Sequence, residues 1–247
     1  MKLALETYNL TKYYGKVKIL DNLNLAIPIG RFHGLIGPNG AGKTTTLKIL
    51  CGISKQTSGS ARIRGFDIHK HSNEVKKIIG YIPENPTLYK SLTVAELLQF
   101  VGKIYMVPRE IRESRTQKYL SMFQIEYAEK KFIGSLSKGE LQRILICSLM
   151  IREPSVFLLD EPFHALDPEG AVIFRQLLKE KCKKGATVLL ATHLLDIAEK
   201  LCESFTFLNK GLTIANGDMQ DFKKLLGNDL SLEQIFLYYI RNQGNQN

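Results

Sequence analysis

The chain alternates between two hydrophobic rhythms. Leu3 to Asn9 and Asn22 to Ile29 alternate in part between larger apolar and small or polar residues, which predicts strands with one wet face. Phe32 to Ile36 is a short, mostly apolar run ending at Gly37, and residues 43 to 51 then take a helical period stopped by Gly52. Ile79 to Ile82 predicts another short strand, closed by Pro83. From Thr93 the helical period dominates to about Arg152, broken at Pro108 and at the turn Gly134–Ser137. Thr93 and Glu96 form a capping box at the start of this stretch. After Pro154 the strands return. Val156 to Leu159 is continuously apolar, and so is Ala186 to Ala191 apart from Thr187. Runs without alternation suit strands covered on both faces. Between them, Asp167-Pro168 is an N-cap and first-turn pair for a helix to about Lys181. Phe205 to Leu208 and Leu212 to Ala215 predict a last pair of strands around Asn209–Gly211, followed by two short helices and a frayed end from Asn242 to Asn247. Strands alternating with helices, interrupted by a helical insert, define an α/β fold with a mostly parallel sheet.

Composition excludes several alternatives. The chain has 247 residues, 44% hydrophobic and 23% charged, so it forms a globular core without staples. Its longest uncharged apolar stretch, Ile144 to Ile151, is too short to cross a bilayer, which takes about 20 residues. The N-terminus lacks the apolar segment of a signal peptide. Cys51, Cys147, Cys182 and Cys202 show no CxxC spacing and read as reduced, buried thiols. The net charge is 34 − 24 = +10. That excess suits nucleic acid, an anionic membrane face or a phosphate-rich ligand without choosing among them. His69-x-His71 has strand-face spacing but no accompanying ligand cluster, so it is not read as a metal site.

Two motifs carry chemistry. Gly37-Pro38-Asn39-Gly40-Ala41-Gly42-Lys43-Thr44 fits G-x-x-x-x-G-K-[ST], with Thr45 following, after a strand and at the start of a helix. Its glycines let backbone N–H groups turn inward, and the helix N-terminus completes an anion cradle. Lys43 adds a point charge at the β and γ phosphates, and the Thr44 hydroxyl suits Mg²⁺. The run Val156 to Leu159 then delivers Asp160 and Glu161 at the end of a strand, where ligands bind in open α/β sheets. Asp160 is placed to hold Mg²⁺, and Glu161 to orient or deprotonate an attacking water.

With these residues in place, the chain resembles the nucleotide-binding subunit of ATP-binding cassette transporters from about Leu3 to Gly217. Leu136-Ser137-Lys138-Gly139-Glu140-Leu141-Gln142-Arg143 resembles the family signature, which usually reads LSGGQ. Ala165-Leu166-Asp167 resembles the D-loop, and Thr192-His193 the switch histidine. Tyr14 stands where the family stacks adenine on an aromatic ring. Glu84, in Ile82-Pro83-Glu84-Asn85-Pro86, stands where a Gln is usual and offers an oxygen to Mg²⁺ or the attacking water.

The resemblance implies a single cassette. Residues 1–90 and 153–217 would form a phosphate-loop core that includes an antiparallel β part. Residues 91–152 would form an inserted helical lobe, and residues 218–247 the C-terminal helices. Glu161 and His193 would be catalytic. Ser137, Lys138, Gly139, Glu140 and Asp167 would face the ATP of a second cassette, because one chain cannot place both ends on one nucleotide. The ligands would be ATP and Mg²⁺, and the partners an integral membrane permease and that second cassette, a copy or a relative. The location would be cytoplasmic, on the inner face of the membrane. Lys138 and Glu84 resemble the export branch. Two rival readings are a soluble cassette ATPase acting on nucleic acid or ribosomes, and an ATP-binding module without turnover. Cargo is not legible in this chain.

Overall fold

The computed structural model describes residues 2–227 and 230–243. In chain order the strands are β1 (Leu3–Tyr14), β2 (Val17–Pro28), β3 (Phe32–Ile36), β4 (Ser58–Ile63), β5 (Phe66–Asp67), β6 (Ile79–Ile82), β7 (Val156–Asp160), β8 (Thr187–Thr192), β9 (Ser204–Asn209) and β10 (Leu212–Asp218). The α-helices are α1 (Lys43–Leu50), α2 (Ser72–Ile78), α3 (Val94–Ile104), α4 (Arg109–Met122), α5 (Lys138–Arg152), α6 (Pro168–Lys183), α7 (Leu195–Leu201), α8 (Met219–Leu226) and α9 (Leu232–Gln243).

They build two sheets. The larger is ordered β10-β9-β3-β8-β7-β6, with parallel neighbours except for the β9–β10 hairpin at its edge. The smaller, β2-β1-β4-β5, is antiparallel. Every residue of β3, β7 and β8 is buried. Their alternating side chains sort to opposite faces of the large sheet. Phe157, Leu159, Val188 and Leu190 join a core with α6 and the helical insert. Val156, Leu158, Leu189 and Ala191 join a second core with α1 and the small sheet.

The sequence expectations hold for most elements, with shifted boundaries. β1 and β2 each extend beyond the alternating stretch. Asn9 and Asn22 adopt left-handed backbone with φ 47 and 51°, and the pairing slips there. Such irregularities break the period of two while the ladder continues. β4, β5 and α2 were not expected, because Ser58, Gly59 and Ser60 give little strand signal. Asn242, expected to fray, lies within α9, and residues 244–247 lie outside the described ones. Among the described residues no helix is long and apolar enough to cross a membrane.

The insert between β6 and β7 holds α3, α4 and α5. Thr93 and Glu96 cap α3 reciprocally: the Thr93 N–H donates to Glu96 Oε2 at 2.7 Å, and the Glu96 N–H to Thr93 Oγ1 at 3.2 Å. At the far end of α5, Arg152 donates to the carbonyls of Ile79 and Lys76 and stacks on Tyr105 with its guanidinium 3.4 Å from the ring centroid. Next to it, Glu153 pairs with Arg115 of α4 and Lys181 of α6.

His33 sits in the middle of the large sheet, with Nδ1 2.8 Å from Ser204 Oγ and Nε2 2.9 Å from Thr206 Oγ1. Burial pushes its pKa down to about 4. The unfolded imidazole takes a proton near pH 6.5, whereas the folded one resists down to about 4. The folded state therefore loses stability as pH falls through that window, at up to about 1.4 kcal/mol per pH unit. Urea titrations should show a smaller loss between pH 7 and pH 5 for His33→Leu than for the parent. Equal losses would remove this cause.

Candidate functional site

β3 leads directly into the loop Gly37–Gly42 and then α1. A side chain at Gly37 would put a Cβ 2.2 Å from the Leu208 carbonyl oxygen, and Gly42 has φ 107°, so both positions require glycine. α1 has no side-chain N-cap and no acid in its first turn, which leaves its leading N–H groups for a ligand. Lys43 is only 6% exposed. Its ammonium donates to the carbonyls of Gly37 at 2.7 Å and Pro38 at 3.1 Å. Burial pushes its pKa down, while the charges of Glu161, Asp160 and Glu84 push it back up. A cavity of about 310 Å³ opens here, lined by Tyr14, Ile19, residues 39–45, Glu84, Asp160 and Glu161. Gly37 and Pro38 do not line it; their carbonyls hold Lys43 instead.

Asp160 is 1% exposed at the end of β7; the Thr44 side chain approaches it as a donor, but neither carboxylate oxygen makes a hydrogen bond of ordinary geometry among the described residues. Burial pushes its pKa up to about 6, the Thr44 contact opposes that rise, and the charges of Glu84 and Glu161 add to it. A buried carboxylate so weakly satisfied is costly. Beside a phosphate cradle it fits a divalent cation. Asp160, Glu84 and the Thr44 hydroxyl are all hard oxygen donors, the kind Mg²⁺ takes. Among the described residues no three acids, cysteines or histidines converge into a full metal cage.

Glu161 has φ 47°, an unusual backbone for a non-glycine residue. Its N–H donates to the Ala191 carbonyl at 3.0 Å. Its Oε2 accepts from the Thr192 hydroxyl at 2.7 Å, and Oε1 from the His193 N–H at 2.8 Å and His193 Nδ1 at 2.6 Å. The neighbouring strand β8 therefore aims this carboxylate. His193 reaches the site through Glu161 and does not line the cavity. Thr192 was not expected to act on the site, although it stands beside His193 in the sequence.

Tyr14 is 49% exposed on the cavity rim, with the Lys12 ammonium 4.6 Å from its ring centroid. Tyr13 lies outside the cavity, beside Lys18, because successive strand residues point to opposite faces.

The residues expected to serve a second cassette lie elsewhere. Ser137 and Glu140 form a reciprocal cap at the head of α5. Asp167 caps α6 and takes both its oxygens to Arg143 of α5, at 2.6 and 2.7 Å. Arg143 also donates to the Phe123 carbonyl at 2.6 Å, joining the ends of α4, α5 and α6. Arg143 closes the signature stretch read from the sequence, but its grip on Asp167 was not legible there. A second cavity of about 400 Å³ shares Glu84 and Glu161 with the first and brings in Lys138, Gln142, His164 and Ala165. Ser137, Gly139, Glu140 and Asp167 line neither cavity. His69 and His71 do not form a ligand set: His69 pairs with Gln56, and His71 packs on Phe66.

A parallel sheet that feeds a glycine loop, a buried lysine and two strand-end carboxylates defines a phosphate-loop nucleotide hydrolase. Comparison with known proteins narrows the class. Residues 20–164 match the family model for ABC transporters. The chain is 33% identical to the ABC-type transporter ATP-binding protein EcsA of Bacillus subtilis, over 94% of this chain and 95% of that one. It is 30% identical to the Nod factor export ATP-binding protein I of Ralstonia nicotianae, over 95% and 72% of the two chains. The solved ATP-binding subunit of an ABC transporter superposes with TM-score 0.92 at 31% identity, covering 96% of this chain and 99% of that one. This chain belongs to the ABC transporter family, as an ATP-hydrolysing ATP-binding subunit.

Proposed function

We propose that this chain binds ATP with Mg²⁺ in the first cavity, hydrolyses it in a site shared with a second cassette, and drives an export permease from the cytoplasmic face of the membrane. The observation that carries the site is Asp160, a buried carboxylate with no hydrogen bond of ordinary geometry among the described residues, beside the phosphate loop and the Thr44 side chain. Residues 39–45 receive the phosphates, and Lys43 exchanges a loop carbonyl for phosphate oxygens. Thr44, Asp160 and Glu84 would hold Mg²⁺. Held there, Mg²⁺ would supply charge neutralisation to the phosphates. Glu161 accepts the proton of the attacking water, and His193 and Thr192 keep its carboxylate aimed. Ser137, Lys138, Gly139, Glu140 and Asp167 form the face turned to the partner's nucleotide.

Export is favoured by relatives named for it, the Nod factor export protein and the probable multidrug protein YbhF of Escherichia coli, 33% identical over 97% of this chain but 42% of that one. Such names favour a permease over nucleic acid as partner. A solved relative, cbiO1 of Clostridium perfringens, is described as part of a transporter complex.

A shared site makes specific ATPase activity rise with protein concentration, and chelating Mg²⁺ abolishes it. A permease partner makes the chain sediment with membranes even in high salt, which removes attachment by charge alone. Activity independent of concentration, or release by salt, counts against the corresponding part.

Tyr14 gives a direct test of adenine placement. Tyr14→Phe keeps the ring and should bind ATP normally. Tyr14→Ala should lose on the order of 1–3 kcal/mol of stacking, read by calorimetric titration. Equal affinities would make Tyr14 a rim residue only.

A further inference from the structure

A carboxylate at the head of α5 is a poor neighbour for a phosphate. The free N–H groups there and the Lys138 ammonium favour negative charge, yet Glu140 stands in the same turn. The structure shows how that charge is disposed. Glu140 Oε2 accepts the Ser137 N–H at 2.8 Å. Oε1 accepts from the Tyr127 hydroxyl at 3.1 Å and from the Lys131 ammonium at 3.3 Å. Lys131 also stands over the Tyr127 ring, 4.6 Å from its centroid. Both oxygens are thus turned back onto their own chain.

Tyr127 and Lys131 belong to the connection between α4 and α5, outside the cap itself. The cap needs only Ser137 and one Glu140 oxygen, so it does not explain the other two contacts. Ser137 chiefly, through its N–H and its side chain, and then Lys131 and Tyr127 hold the Glu140 carboxyl well below its ordinary range, at about 2. The carboxyl is therefore ionised at any working pH, and its charge needs neutralising. Ser137 Oγ accepts the Glu140 N–H at 3.2 Å, and its hydroxyl also faces the Glu140 carboxylate.

We propose that Tyr127 and Lys131 are positioning residues that neutralise Glu140 within its own chain, so that the α5 turn offers Ser137 and Lys138, and no free carboxylate, to the partner's terminal phosphate. The proposal rests on the shared-site reading above. It also separates two roles for the connection. A brace would matter whatever stands at residue 140, whereas a charge clamp matters only while residue 140 is ionised.

The test is ATP-driven dimerisation of the full chain in a Glu161→Gln background, measured by sedimentation with Mg²⁺ and ATP. Tyr127→Phe with Lys131→Gln should weaken the dimer about tenfold, since each protomer contributes one freed carboxylate. Adding Glu140→Gln, which still caps the helix, should restore association to within about twofold of Glu140→Gln alone. Parent-like association in the clamp variant overturns the proposal, and so does a loss that Glu140→Gln leaves in place. A parent that stays monomeric with ATP overturns the shared site and this proposal together. A dimerising parent without the rescue overturns this proposal alone.

Discussion

Glu161→Gln is expected to bind ATP as tightly as the parent and to hydrolyse it at least about a hundredfold more slowly, the scale of a lost general base. The surroundings explain why binding survives. Glu161 Oε1 accepts two bonds from His193, and Oε2 one from the Thr192 hydroxyl. A glutamine can keep its oxygen on His193 and turn its amide toward Thr192, whose hydroxyl rotates to accept. Position is preserved, and only the capacity to take a proton is lost. On the shared-site proposal, stalled hydrolysis should let an ATP-bound dimer accumulate on sizing chromatography. A monomeric variant with normal turnover would remove Glu161 from the chemistry.

Lys43→Ala should lose both binding and turnover. The ammonium is buried and faces three acids that line the same cavity. Without it, the triphosphate meets Asp160, Glu161 and Glu84 with one fewer compensating charge. Charge-assisted hydrogen bonds contribute about 1.5–3 kcal/mol. Nucleotide affinity should therefore fall roughly ten- to hundredfold, read by titration with a fluorescent ATP analogue, and turnover should fall at least as far. Unchanged affinity would mean that the loop N–H groups alone hold the phosphates.

The phosphate loop, Asp160 and Glu161 were legible because their chemistry needs particular residue types at fixed spacing between a strand and a helix. The buried strands β7 and β8 were legible because their apolar runs are unbroken. What escaped the sequence depends on contacts between distant segments. Arg143 reaches Asp167 across 24 residues, and Thr192 reaches Glu161 across 31. Tyr127 looks like any exposed aromatic until Glu140 is seen beside it. The bulged halves of β1 and β2 escaped for a local reason, since Asn9 and Asn22 interrupt the alternation on which a strand reading depends.

The attachment of the helical insert has a mechanical consequence. At one end, Arg152 and Glu153 bind α5 to β6, α4 and α6. At the other, Ser137 heads the same helix, 15 residues away in a straight run. At 1.5 Å per residue, that is a rod about 22 Å long, buried along most of residues 142–151 and held near its head by Phe123 and Asp167. Each degree of swing about the Arg152 anchor moves Ser137 by about 0.4 Å. Arg143 sits on the rod and grips Asp167, so a swing pulls on the loop that directly follows Glu161.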